Sequence, residues 1–489
     1  MDKNAKTGKV KADLIVRHAY IITMDEVSRI IDNGAIAIAE RRIIDVDEDT
    51  EIVRRYTADQ IIDAEGAPVH PGLIECHVHA STLTLRGTLA DHIIEDDLFN
   101  TFDCPYYNNV TDEEEYLGVV LAAMEMIRNG TTCFMEAGTV LEPSAAAQAS
   151  EFVGMRALIG DAFIWDQPEG FAQGKQDPGS SSSQSRGVIE RAPKTTAEAL
   201  ARLGSELKRN NDPETLVTGH VAVLGLGTAS EELLLEAKRK ADSAGVVLNM
   251  HQSYSPADVA SDRLKFGKDP LVHLADIDFL GSNVTLAHAN YLTDSECDVL
   301  LHRGTSLAKA PAASMLWGQG GCFNGRHAEL WRNGANICLG SDSGNWSNDF
   351  DLFKQANLTL LTAREAHKDR IYLSAEDVLS MATRGGAEAT GMKDRIGSIE
   401  AGKRADIVIH TLNRPEIIPI TDMIRNLICS SGSKSVHTVI VDGKVVLEEG
   451  SFVNIDEERL LFQINQATTS ILDRMGYQVE PNRIRHRSR

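Results

Sequence analysis

Between about residue 110 and residue 390 the chain repeats one unit: a helix signal, a glycine stop and a short apolar run. Thr111-Asp-Glu-Glu114 reads as a capping box, and Leu117, Val120, Leu121, Met124 and Ile127 follow at helical spacing until Asn129-Gly130. A strand is expected over Thr131-Thr-Cys-Phe-Met135. The cycle returns with a helix from Glu231 to Ser243, a stop at Gly245 and a strand from Val246 to Met250. Thr293-Asp-Ser-Glu296 caps the next helix, Gly304 ends it, and Thr305-Ser-Leu-Ala308 is the strand after it. Ala328 to Asn333, Gly334 and Ala335 to Leu339 make another round, and Ser374-Ala-Glu-Asp377 opens a further helix. Such alternation builds a parallel sheet with helices outside, either an open doubly wound sheet or a closed barrel.

The polar residues favour the barrel. Ala67-Pro-Val-His-Pro-Gly-Leu-Ile-Glu75 runs into His77-Val-His79, and two imidazoles at i and i+2 of a strand end face one side, where they can share a metal ion. His251 ends Val246-Val-Leu-Asn-Met, His288 ends Val284-Thr-Leu-Ala, and Asp342 follows Ile337-Cys-Leu-Gly-Ser. A lone His-x-His means little; strand-end candidates throughout one chain point to a metal site. Ligands from separate strands that meet at one point suit a closed barrel, whose active site lies at the C-terminal ends of its strands.

The flanks read differently. Residues 12–66 and 405–453 hold apolar β segments with turn residues between them, expected to pair as antiparallel strands in one small sandwich made from both chain ends. The expected division is residues 1–68 plus 400–455 for the sandwich, 69–399 for the barrel, and 456–489 for a C-terminal helix and tail. The stretch 174–186, with serines at 180–183, reads as an exposed loop or a mobile cover over the site. A net charge of −22 argues against nucleic acid and anionic membranes as partners, because both demand clustered Lys and Arg. Seven scattered cysteines without a Cys-x-x-Cys pair suit reduced thiols in the cytoplasm. No leader-like or membrane-spanning apolar run is apparent.

Taken together, Pro71-Gly-Leu-Ile-Glu-Cys-His-Val-His79, Leu286-Ala-His288, Leu339-Gly-Ser-Asp342 and Gly397-Ser-Ile-Glu-Ala-Gly-Lys-Arg-Ala-Asp-Ile-Val408 resemble the amidohydrolase superfamily, in its cytosine deaminase, guanine deaminase and triazine hydrolase branch. The resemblance runs from about residue 12 to 453. It implies an α/β fold, a distorted (β/α)8 TIM barrel with a small β-sandwich from both chain ends. It also implies one divalent metal ion held by His77, His79, His251 and Asp342. Three imidazoles and a carboxylate suit Zn2+ first, with Fe2+, Mn2+ or Co2+ as alternatives. Asp342 would take a proton from the nucleophilic water, and His288 would hydrogen-bond the attacked centre. A homo-oligomer, dimer or larger, is implied as well.

One departure shapes the functional expectation. Ring deaminases of this branch place a glutamate three residues after the fifth-strand histidine, and here the segment is His251-Gln-Ser-Tyr254. Tyrosine, with a reference pKa near ~10, donates a hydrogen bond but shuttles protons poorly at neutral pH. Asp258 lies too far along to substitute by alignment. The first expectation is therefore hydrolysis of a neutral, aryl-substituted amide, urea or carbamate, resembling the phenylurea and thiocarbamate hydrolases. The alternative is an aminohydrolase or dechlorinase of a pyrimidine, purine or s-triazine. Tyr254, Asn290 and Trp346 are candidate substrate contacts, with Asn290 equally readable as a turn residue. Trp317 reads as wall or core, His220 as core, and Arg86 as either an ion pair or a substrate contact.

Overall fold

The computed structural model describes residues 9–89, 98–170 and 188–478. The expected cover at 174–186 and the tail at 483–489 lie outside these residues. At its centre eight parallel staves close on one another. They are β1 (Leu73–His79), β2 (Thr131–Glu136), β3 (Arg156–Ile159), β4 (Val217–Gly219 continuing as Val221–Gly225), β5 (Leu248–Gln252), β6 (Val284–His288), β7 (Ser306–Lys309) and β8 (Ile337–Leu339 continuing as Asp342–Ser343). Two staves are broken, and closure runs through the breaks. The first part of β4 pairs with β3 and its second part with β5, while β8 pairs first with β7 and then, from Asp342, with β1. The result is the distorted (β/α)8 barrel expected from the alternation.

The helices form where their caps start them. Thr111, Thr293 and Ser374 each make the full capping box, opening Asp112–Arg128, Asp294–Arg303 and Ala375–Ser380. Helix Glu231–Ala244 begins on Ser230 and stops at Gly245, whose φ of +63° suits glycine. The strand at Thr131 begins where its apolar run does, whereas those at Leu248 and Ile337 begin two residues later than theirs. Val246 and Val247 approach β5 as irregular chain, and β5 extends past His251 to Gln252. Inside the barrel, Cys76, Cys133, Met135, Leu158, Ala308 and Cys338 pack together and are closed over by Ala387, Met392 and Ile396. Six of the cysteines are buried and free, and Cys429 is exposed.

Both chain ends join in one nine-stranded sheet. Strand Val10–Ile22 runs antiparallel to Ile30–Ala39 but parallel to Tyr56–Asp63 and Pro68–Pro71. The parallel pairings depart from the antiparallel expectation, because helix Asp49–Arg55 supplies the crossover that a parallel return requires. Pro68–Pro71 then pairs antiparallel with Ile407–His410, and there the two ends of the polypeptide meet. Gly72 turns the chain from this sheet into β1; a Cβ there would fall 1.9 Å from the Thr132 hydroxyl, so no larger residue fits. Helix Glu457–Met475 follows the last strand. No helix among the described residues is long and apolar enough to cross a membrane.

A buried ion-pair cluster fastens barrel and sheet. Arg156 on β3 donates to Asp406 (2.8 and 3.0 Å) and to Asp442 (2.9 Å), with its own side chain 1% exposed. Arg404 also reaches Asp442, at 3.2 Å. Arg156→Ala leaves two buried carboxylates short of their cation, and a loss of about 3–5 kcal/mol is expected in denaturant unfolding; a loss below about 1 kcal/mol would show that Arg404 suffices.

Within the sheet, where the two chain ends meet, His70 contacts His410, Nε2 to Nε2 at 2.9 Å, the outer nitrogens satisfied by the Pro71 carbonyl and the Ser435 hydroxyl. Burial lowers His70 to about 4 and His410 well below its ordinary value, so both are neutral in the fold. The unfolded chain protonates them near pH ~6.5. As pH falls from about 6.5 toward 4, the unfolded state therefore gains protons that the folded state refuses, and stability is lost over that window. Replacing both by Asn is expected to flatten this acid-dependent loss by more than the roughly 3 kcal/mol that His70 alone accounts for, read from denaturation midpoints against pH. An unchanged slope would refute the assignment.

Candidate active site

The strand-end residues meet at the C-terminal mouth of the barrel. His77, His79 and Asp342 bring their ligand atoms within 4.8 Å of one another, and so do His77, His251 and His288. The individual spacings are short. Asp342 Oδ1 lies 3.4 Å from His79 Nε2 and 3.8 Å from His77 Nε2, and its Oδ2 lies 3.9 Å from His288 Nε2. His251 Nε2 stands 3.2 Å from His79 Nε2.

Local backbone features aim these groups. The β1–β2 register slips between Glu75 and Val78, immediately around the histidine pair, which fits the tendency of bulges to re-aim side chains beside active sites. His288 and Asp342 both hold φ of +72°, a conformation rare for non-glycine residues that persists where the surroundings over-determine it. Gly340 breaks β8 where a Cβ would come 2.8 Å from that of His77. Glu75 bridges the staves, accepting from the His77 and Ser341 amides (3.1 and 2.9 Å) and from the Ser341 hydroxyl (2.7 Å). Burial pushes its pKa up to about 8.

The residues fit a bound divalent cation. Both ring nitrogens of His77 are buried without a hydrogen-bond partner, and an ion beside Asp342 would meet the demand of Nε2. The Nδ1 atoms of His79 and His251 are already committed, to the Thr139 hydroxyl (2.8 Å) and the Leu224 carbonyl (2.7 Å), leaving Nε2 of each for a ligand. The Thr139 hydroxyl donates in turn to Glu136 at 2.8 Å. Burial lowers His77 well below its usual value, His251 to about 3 and His288 as well, so these imidazoles are neutral, the form that binds metal. Burial opposes the charge of Asp342, but its hydrogen bond to His79 and the other imidazoles outweigh it and hold the carboxyl far below the ordinary range.

A cavity opens over this cluster, with about 640 Å³ of atom-free space including its open side. Tyr254 and Trp346 line it. Burial, with Asp258 and Asp262 nearby, pushes the Tyr254 hydroxyl well above the ordinary phenol value. Asn290 is not among the lining residues; its amide instead donates to the Tyr254 carbonyl at 3.1 Å, so the structure makes it a brace for that loop. Trp317 stands behind Trp346, donating to its carbonyl at 3.2 Å with the rings 4.7 Å apart. His220 sits buried in the break of β4, and Arg86 pairs with Glu125. Sequence reasoning missed Asp103, Thr139, Tyr107, Phe163 and Leu224, which also line the cavity. Only Thr139 carried a signal, three residues after the strand-end Glu136.

A family model described as "Amidohydrolase family" matches residues 69–446. The 5'-deoxyadenosine deaminase of Methanosarcina mazei is 28% identical over 470 residues, 95% of this chain and all of that one. A 5-methylthioadenosine/S-adenosylhomocysteine deaminase of Syntrophobacter fumaroxidans is 28% identical over 464 residues, covering 95% and 99% of the two chains. Among solved structures, an adenosine deaminase from Xanthomonas campestris with bound zinc aligns at TM-score 0.85 and 25% identity, over 95% of this chain and 100% of that one. An atrazine chlorohydrolase from Arthrobacter aurescens, complexed with zinc, aligns at TM-score 0.81 and 20% identity over 93% and 100% and so shares the fold. Thr139→Val cuts the relay behind His79. It is expected to weaken zinc binding 10–100-fold in a chelator-competition titration while leaving the fold's circular dichroism unchanged.

Proposed function

The chain belongs to the amidohydrolase family, as a metal-dependent hydrolase of carbon–nitrogen bonds, and from that premise we propose that it removes the exocyclic amine of a 6-aminopurine, of the adenosine-derivative class. The cavity carries this reading: the ligand cluster forms one side, and Phe99, Tyr107, Phe163, Tyr254 and Trp346 supply aromatic surface around it, a setting for a flat heterocycle. The deaminases of adenosine derivatives that match nearly the whole chain support the same class. It reverses the first expectation of a phenylurea-type hydrolase in favour of the alternative. Zinc is the ion we assign, on the donor set and on the zinc-bound neighbours.

His77, His79, His251 and Asp342 would hold a divalent ion, which would supply the Lewis acidity for making water a nucleophile at neutral pH. The side chains do the rest. Asp342 accepts a proton from the water and delivers it to the departing nitrogen, its second oxygen turned toward His288. His288, whose carbonyl accepts from His327 Nε2 at 2.6 Å, is fixed to hydrogen-bond the oxygen at the attacked carbon. Tyr254 covers the site at a centroid distance of 6.0 Å from the His288 ring and donates a hydrogen bond without changing charge.

That last feature favours a second reading, cleavage of an aryl amide or urea, which needs no acid on a ring nitrogen. Product analysis separates the two. With zinc-loaded enzyme, 5'-deoxyadenosine and 5'-methylthioadenosine are expected to yield ammonia with the purine retained, whereas phenylureas and anilides yield no free aniline. Aniline release without ammonia from any aminopurine would reverse the order.

A further inference from the structure

Asp103 closes a single π-helical turn, Phe99–Asp103, in the segment after β1. Such turns appear often at functional sites. Its side chain lines the cavity that holds His79, His251, His288 and Asp342. Among the described lining residues, Asp103 and Asp342 are the two carboxyls. Asp342 belongs to the ligand cluster. Asp103 instead shares the wall with Phe99, Tyr107 and Phe163, near Asn345, whose buried Nδ2 has no other partner. Ser343 holds Asn345 in turn, and Ser343 is itself hydrogen-bonded to Thr82 at 2.8 Å. An acid set into an aromatic wall is costly unless it meets a polar group of the ligand.

We propose that Asp103 is a catalytic residue of this enzyme, the proton donor to the ring nitrogen beside the carbon under attack, in the place where Tyr254 cannot serve. This assignment rests on the aminohydrolase reading. The steps balance as follows. Water oxygen bonds to the ring carbon as the C=N π pair moves onto the ring nitrogen, which takes the proton of Asp103, while Asp342 takes a proton from the water. The bond to the exocyclic nitrogen then breaks, its pair leaving with nitrogen, which takes the proton from Asp342. The remaining hydroxyl proton returns to Asp103 as the carbonyl forms. One water is consumed, one ammonia is released, and both carboxyls end as they began.

The electrostatics support the role. Burial raises Asp103 to about 7, with Asp342 adding to the rise and His79 and Asn345 opposing it. A carboxyl near half protonation at neutral pH gives and takes protons with little driving-force penalty.

The test uses the zinc-loaded full chain with 5'-deoxyadenosine, and compares Asp103→Asn and Asp103→Glu. Asp103→Asn is expected to keep the wild-type melting temperature and metal stoichiometry, and to hold KM within a few-fold. Its kcat should fall about 10²–10⁴-fold. The basic limb of the kcat profile near neutrality should vanish in Asp103→Asn and return, displaced, in Asp103→Glu. A kcat within threefold of wild type, or a loss of kcat with the limb unmoved, overturns the assignment and leaves the aminohydrolase reading standing. If Asp103→Asn misfolds, Asp103→Glu decides alone by the presence or absence of the displaced limb. A wild-type enzyme that releases no ammonia from any aminopurine overturns the parent reading instead.

Discussion

An anion buried among imidazoles is the contact on which the rest of this molecule turns. Removing Asp342 from water opposes its charge, and the surrounding histidines restore it. Burial in turn keeps His77, His251 and His288 neutral, while Asp342 raises His79 against that burial, and the imidazoles crowd toward one point, with His251 and His79 only 3.2 Å apart at Nε2. Such an arrangement is poor by itself, since so many buried imidazole nitrogens have few groups to satisfy them. It becomes favourable around a cation. The slipped register around His77, the missing Cβ at Gly340 and the left-handed residues at His288 and Asp342 all serve to impose it.

How much of this could be read beforehand depended on the kind of signal. Capping boxes are local, so Thr111, Thr293 and Ser374 started their helices where they were expected. The strand at Thr131 began as expected, but those at Leu248 and Ile337 began late, because an apolar run such as Val246-Val-Leu does not say where laddering begins. The breaks in β4 and β8 were marked only by Gly219 and Gly340, too little to reveal that barrel closure runs through them. The histidines and Asp342 were legible because each stops an apolar run. Asp103 was not, since nothing periodic leads to it and its place depends on the π-helical turn. Asn290 misled for the opposite reason: its spacing after His288 suggested the pocket, and the carbonyl of Tyr254 claimed its amide instead.

The family framework sets the reaction class, and the walls set what enters. Tyr254 and Trp346 present aromatic surface, and Trp317 backs the latter so that the wall resists displacement. A binding surface of this kind selects for flatness, while hydrogen-bond complementarity must come from the few polar groups set into it. The barrel itself is common to many chemistries, so specificity lies in these insertions rather than in the staves.

The meeting of Pro68–Pro71 with Ile407–His410, locked by Arg156 against Asp406 and Asp442, has a consequence for biosynthesis. A ribosome delivers β1 and its histidine pair hundreds of residues before the strand that must lie beside Pro68–Pro71. Until that late segment emerges, the guanidinium on β3 has no counter-charge and the early strands keep an unpaired edge. The nascent chain is therefore committed to a long interval with its first module unsealed, when holdase chaperones have most to protect.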